Sequence, residues 1–200
     1  MRLFSYCIQT DDGAAPNPFW GLCTLTICKP VIRRVAEVGD WVVAIGSVNV
    51  KGEDYSGKLV YAMKVTLKMT LEEYDEFCRG DVPQKIPDLS HSDYRRRVGD
   101  CQYEYSGSNN ARQRSGVHKP ANRAKDLRGV NSLISKHFYY FGKKAVKIPP
   151  KFSRLLRQGQ GHQSTKNEPI KTQFIAWLEK KFVRNKLYGQ PQIELNFIKD

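Results

Sequence analysis

Glu37-Val38-Gly39-Asp40-Trp41-Val42-Val43-Ala44-Ile45-Gly46-Ser47 reads as a turn that launches a buried strand. Gly39 accepts a positive φ and Asp40 bonds its own backbone, which is what a tight turn asks of its residues. The apolar run from Trp41 to Ile45 is rich in β-branched and aromatic side chains, which suits a strand covered on both faces. Gly46 and Ser47 close it. The flanking sequence supplies partners. Residues 58–66 predict a strand pairing antiparallel with 41–47 across a polar, glycine-bearing loop at 49–57. Residues 3–8 alternate weakly and predict a first strand.

Further out, residues 22–28 alternate with period two and predict a half-buried strand, stopped by Lys29-Pro30. Residues 31–36 suit either a turn of helix or a short strand. Thr70-Leu71-Glu72-Glu73 is a capping box, in which the Thr hydroxyl takes the N3 amide and Glu73 reaches back to the cap; it predicts a helix over 71–78. Residues 79–129 hold few periodic runs and predict a long loop or insert, with a polar tip at 106–110. Residues 132–141 predict a strong strand and 145–148 a short one. A basic helical turn follows at 151–157, then a flexible connection at 158–162. Residues 168–184 predict the one long helix, with Ile170, Phe174, Trp177, Leu178 and Phe182 as its apolar stripe. Residues 192–198 predict a returning edge strand. Strands early and the long helix late argue for an α+β fold, a curved or barrel-like sheet with one long C-terminal helix and one or two short helices. A single domain over 1–200 is expected: strand-rich 1–78, long loop or insert 79–131, strand plus basic helical part 132–200.

Charge is the strongest global feature. Thirty-three Lys and Arg oppose 20 Asp and Glu, a net +13. Residues 143–186 hold 12 basic residues against Glu168 and Glu179, so +10 of the total lies there. Such a concentration points to polyanions, nucleic acid first, DNA ahead of RNA. No apolar run approaches the roughly 18 residues of a membrane span, and the first residues lack a signal peptide's apolar core, so a cytoplasmic protein without a membrane partner is expected. The five cysteines, an odd number without a Cys-x-x-Cys pair, read as free thiols; a catalytic or zinc-ligand cysteine is the alternative.

Dinucleotide, phosphate-loop, serine-elbow and zinc-protease signatures are absent, and the four histidines are widely spaced, so neither a metal nor a cofactor is expected. What remains is an aromatic and polar inventory. Asn17, Phe19, Trp20, Trp41, Ser47, His137, Tyr139 and Tyr140 could stack on a base and read its edge. Arg33, Arg34, Arg95, Arg96, Arg97, Lys143 and Lys144 could hold phosphates. For an enzyme, Asp11, Asp12, His118, Asp126 and His137 could supply an acid/base pair if they converge; Asp12, His118, Asp126 and His137 are the catalytic candidates. Packing in the core and a solvated basic face are the plainer readings of the same residues.

The motifs Asp11-Asp12-Gly13-Ala14-Ala15-Pro16-Asn17-Pro18-Phe19-Trp20-Gly21, Cys23 through Cys28-Lys29-Pro30, Gly39-Asp40-Trp41, His118-x-Pro120-x-Asn122-x-Ala124-x-Asp126-Leu127 and Ser135-x-His137-Phe138-Tyr139-Tyr140-Phe141-Gly142 together resemble the type 2 nucleotide modification associated domain, over about residues 3–190. That resemblance implies bacterial or phage DNA-base modification, or recognition of a modified base. Val38-Gly39-Asp40, Ser47 and the strand Val60-Tyr61-Ala62-Met63-Lys64-Val65-Thr66 are similar to PUA-like barrels, including EVE and YTH modules, which implies an aromatic cage for a modified base. On these grounds the chain is expected to be a nucleic-acid-binding module that recognises a modified base in DNA, with DNA-modification or phage-defence proteins as partners. The alternative is an enzyme that alters a nucleobase or nucleotide.

Overall fold

The computed structural model describes residues 1–48, 50, 52–106, 110–156, 159 and 161–197. In chain order the elements are β1 (Leu3–Ile8), β2 (Cys23–Leu25), α1 (Pro30–Val35), β3 (Trp41–Gly46), β4 (Lys58–Lys64), β5 (Leu67–Thr70), α2 (Leu71–Gly80), α3 (Tyr94–Arg97), β6 (Tyr103–Glu104), β7 (Arg112–Gln113), α4 (Arg123–Leu127), β8 (Asn131–Ser135), β9 (Phe138–Tyr140), β10 (Val146–Lys147), β11 (His162–Gln163), α5 (Lys171–Lys181) and β12 (Lys186–Leu187), with short 3-10 turns between them. The chain folds as two units, each assembled from separated segments. The first comprises Met1–Asp11, Ala36–Thr66 and Ser135–Ile193; the second comprises Asp12–Val35, Leu67–Ile134 and Glu194–Asp200.

The first unit is organised on β3, whose six residues are all buried. The launching turn behaves as its chemistry requires. Gly39 has φ 94°. The Asp40 carboxylate accepts from the Glu37 amide (2.9 Å) and from the amide and guanidinium of Arg2 (2.6–2.9 Å). β3 pairs parallel with β1, Leu3 opposite Trp41, and antiparallel with β4, Trp41 opposite Lys64, with an irregularity after Ala44. The sheet runs β11-β1-β3-β4-β9-β12, with β10 also on β4. Alternate β3 residues Trp41, Val43 and Ile45 join Leu3, Leu59, Tyr139, Phe141 and Phe152 in a core closed by Phe174, Ile175 and Leu178 of α5.

In the second unit, β2, β8 and β5 form a three-stranded sheet and β6–β7 a hairpin. Its centre is polar. Lys85 is fully buried and donates to Asn17 O, Asn17 Oδ1, Leu22 O and Thr24 Oγ1 at 2.7–3.2 Å. Asp100 accepts from Thr24, Thr26 and Tyr74 hydroxyls at 2.6–3.0 Å. A buried cation and a buried carboxylate are tolerable here because each has a full set of partners. The capping box forms, with Thr70 Oγ1 accepting from the Glu73 amide at 3.1 Å and Glu73 accepting from the Thr70 amide at 2.7 Å.

Several expectations are corrected. Among the described residues no pairing joins β11 to β12, so the sheet is open and not a closed barrel. The long helix begins at Lys171, because Pro169 has no amide and restricts the residue before it; residues Thr165–Ile170 form a 3-10 turn instead. The strand over 132–141 is two strands. Ser135 Oγ accepts from the His137 amide (3.0 Å) and donates to His137 O (2.8 Å), which makes a local turn that breaks the run. The strand over 22–28 stops at Leu25, and residues 192–197 form no strand. The span 79–129 carries α3, β6, β7 and α4. The centre of the polar tip at 107–109, and residues 157, 158 and 160 of the expected basic turn and connection, lie outside the described residues.

Candidate active site

β2 leads to Cys28, and α1 begins two residues later at Pro30, a residue suited to a first helical turn. Between them Cys28 (φ 58°) and Lys29 (φ 39°) both occupy the left-handed region. Two successive non-glycine residues there store backbone strain, and such strain collects where a side chain must be presented at a fixed angle. The turn is held from both sides. The Cys28 amide donates to Asp126 Oδ1 at 2.9 Å, and the Cys28 carbonyl accepts from Arg33 Nη1 at 3.1 Å.

The half-buried Cys28 Sγ lies 3.4 Å from His118 Nε2. On the other edge of the ring, His118 Nδ1 lies 2.5 Å from Asp126 Oδ2. That oxygen also accepts from the Tyr103 hydroxyl at 3.0 Å. Asp126, on α4, is therefore bonded to the thiol-bearing turn and to the imidazole at once. Side chains next to each member, Ile27, Val117 and Leu127, share one apolar cluster with Ala14, Phe19, Trp20 and Tyr103. That packing sets the loop over residues 14–20 beside the triad.

The electrostatics follow from these contacts. Burial works to lower the His118 pKa, but the hydrogen bonds to Asp126 and Cys28 and their charges outweigh it and lift it to about 10. Burial works to raise the Asp126 carboxyl, but the bond and charge of His118, with the Cys28 amide and the Tyr103 hydroxyl, hold it below the usual carboxylate range. Asp12, whose charge acts on His118, is pushed up chiefly by burial. Sγ, a ring nitrogen and a carboxylate oxygen lie within 4.8 Å of one another. Cys28 and Asp126 nevertheless address opposite nitrogens of the ring. That is the order of a nucleophile, a base and the group that orients the base, whereas a cation cage would gather its donors on one side.

The remaining candidates are distributed as follows. His137 is in the first unit, its ring 5.1 Å from Trp41 and its Nε2 3.3 Å from the Tyr139 hydroxyl and 3.5 Å from Glu179. Burial, with Arg184 and Lys64, lowers its pKa against Glu179. Asp11 is buried in the same unit and accepts from Tyr140 Oη at 2.8 and 2.9 Å. Trp41, Tyr139 and Tyr140 are at most 2 % exposed. Ser47 is half-buried and donates to Val48 O. In the second unit Asn17 and Phe19 are buried, Asn17 in the Lys85 network, and Trp20 carries the Arg95 guanidinium 4.7 Å above its ring. Arg33 is fully buried, its Nε donating to Asn131 O and its Nη1 to Cys28 O. Arg34 is exposed, Arg95 grips Asp93 in a fork, Arg96 is half-buried, and Arg97 meets Glu194; Lys143 and Lys144 are exposed.

The structure thus brings His118 and Asp126 together, sets Asp12 within their field, and leaves His137 and Asp11 in the other unit. The member that sequence reasoning passed over is Cys28, grouped there with the free thiols. Its signal was position: a cysteine closing a strand run and set immediately before Lys-Pro and a helix. Cys28 lies in one, and His118 and Asp126 in another, of the motifs on which the family resemblance rests. No curated protein and no solved structure matches the chain. The family model described as nucleotide modification associated domain 2 matches residues 1–198, and the chain belongs to that family.

Proposed function

We propose that this protein is a nucleotide-modifying enzyme that works through covalent thiol catalysis, with Cys28 as nucleophile, His118 as acid and base, and Asp126 as the group that orients His118. The single observation that carries this reading is the Cys28–His118–Asp126 relay, 3.4 Å and 2.5 Å across the two edges of one imidazole. The family supplies the link to nucleotide modification. The reaction class that fits is displacement at a carbonyl or amidine carbon carried by a nucleotide or a nucleobase. Sγ forms a bond to that carbon, and the bond from carbon to the leaving nitrogen breaks. The proton shared by Sγ and Nε2 passes to the leaving nitrogen. Water, losing its proton to Nε2, then attacks the thioester or thioimidate and restores the thiol. The Cys28 amide is taken by Asp126, so it is not a donor for the developing oxyanion. The test is intact-mass analysis of the protein incubated with nucleotides and with DNA carrying amide-bearing bases. A substrate-derived adduct on Cys28, absent from Cys28→Ala along with turnover, is expected. Turnover by a folded Cys28→Ala variant would refute the reading.

A second reading, favoured by charge, is a module that binds DNA and recognises a modified base, in the manner of PUA-like cages and in the company of DNA-modification or phage-defence proteins. Lys143, Lys144, Lys180, Lys181, Arg184 and Lys186 are all exposed in the first unit, Lys181 over the rings of Trp177 and Phe182 and Lys186 over that of Tyr188. Such a face suits phosphates and stacked bases. The two readings are compatible if the substrate base is carried by a nucleic acid.

A further inference from the structure

Arg33, on α1 of the second unit, is fully buried. Its Nε donates to Asn131 O at 2.7 Å and its Nη1 to Cys28 O at 3.1 Å, while Nη2 has no hydrogen-bond partner among the described residues. Gly129 lies flat against it: a Cβ there would stand 2.5 Å from Cζ and 2.7 Å from each terminal nitrogen. Burial lowers the guanidinium pKa only to about 10, so it is cationic at neutral pH. A buried cation held only by carbonyls is costly unless a negative group lies within its field. The groups that act on it are Asp126 first, then Cys28, Tyr103 and Asp100; Asp12 acts on His118 from the neighbouring loop.

Arg33 and Asp126 cancel, so these two with Cys28 and His118 are neutral as a group of four when the thiol and imidazole share one proton between them. A second proton would leave it at +1 in a buried setting. Without Arg33, the one-proton form would carry −1 and would take up the second proton readily. We infer that Arg33 is a positioning residue that keeps the Cys28–His118 pair in its one-proton, nucleophilic form on the acid side of neutrality, by charge and by clamping the Cys28 carbonyl, without touching substrate. This rests on the thiol-catalysis reading above.

The test is the rate of Cys28 alkylation by iodoacetamide between about pH 5 and pH 9, read by intact mass and peptide mapping, since only the deprotonated sulfur reacts. Arg33→Gln should lose about tenfold in rate near pH 6, its acid limb displaced upward by about one unit, and recover on the alkaline side. Gly129→Ala leaves every charge in place but drives a methyl into the guanidinium; it should move the limb the same way by less. A folded Arg33→Gln whose profile superimposes on that of wild type would overturn the inference while leaving a reactive Cys28 intact. If Arg33→Gln does not fold, a wild-type profile in Gly129→Ala overturns it equally. A wild-type Cys28 no more reactive than the unfolded chain's other cysteines would instead defeat the catalytic reading, and this inference with it.

Discussion

Asp126 is the side chain with the most dependants in the candidate site. It accepts from the Cys28 amide, His118 Nδ1 and the Tyr103 hydroxyl. Asp126→Asn keeps the shape but offers a donor where an acceptor is needed, so the imidazole adopts the wrong tautomer and the strained turn loses its anchor. Activity should fall by a hundredfold or more, roughly, in a protein that still folds, measured as turnover at saturating substrate. His118 makes a prediction of opposite sense in pH. Its pKa rises from 6.5 to about 10 on folding, so its contribution to stability is complete below 6.5 and is lost as pH climbs through 10. The Tm gap between wild type and His118→Gln should therefore narrow steadily across that interval; a constant gap would contradict the assignment. Tyr140→Phe leaves the buried Asp11 carboxylate without the hydroxyl that now binds both its oxygens. It should lower stability by about 1–3 kcal/mol, read by urea unfolding.

At the scale of elements, legibility in the sequence tracked how local the determinant was. The turn at Gly39 and Asp40, the strand after it, its antiparallel partner β4 and the capping box are each decided within a few residues, and each forms where the sequence places it. Thr70→Ala should accordingly destabilise the protein by about 1 kcal/mol, through α2 alone and with no effect on Cys28 reactivity. The misplaced boundaries have equally local causes that periodicity does not register. The hydroxyl of Ser135 closes a turn inside an apolar run, and Pro169 delays a helix whose stripe begins before it. The triad was legible only in part. Cys28 and His118 are 90 positions apart, and no period or spacing connects them. The sequence offered His118 and Asp126 as candidates through their residue types, but the thiol that completes them is chosen by tertiary structure.

For the whole molecule, charge is the property that sequence reports most completely, since a sum needs no coordinates. It does not say which cations are free. Arg33 is buried, whereas Lys143, Lys144, Lys181 and Lys186 face solvent. If the exposed set binds a nucleic-acid backbone, log Kd should vary linearly with log salt concentration, with a slope of about 0.9 per phosphate contacted on duplex DNA. Lys181→Glu with Lys186→Glu should flatten that slope by about two contacts, while Arg33→Gln should leave it unchanged. Binding that ignores salt would remove the second reading.

The interleaving of the two units bears on how the protein is made. A ribosome delivers β1 and β3 early, but β11, which pairs with β1, β12 at the far edge of the same sheet, and the helix that closes their core come from residues 162–187. The second unit likewise waits for α4 and β8 before the Cys28 turn has its anchor. Neither unit can therefore be completed and set aside while the other is still being translated. The nascent chain must hold the core around β1 and β3 unfinished until residues 162–187 are made, a span in which the apolar strand Trp41–Gly46 is open to chaperones and to proteases.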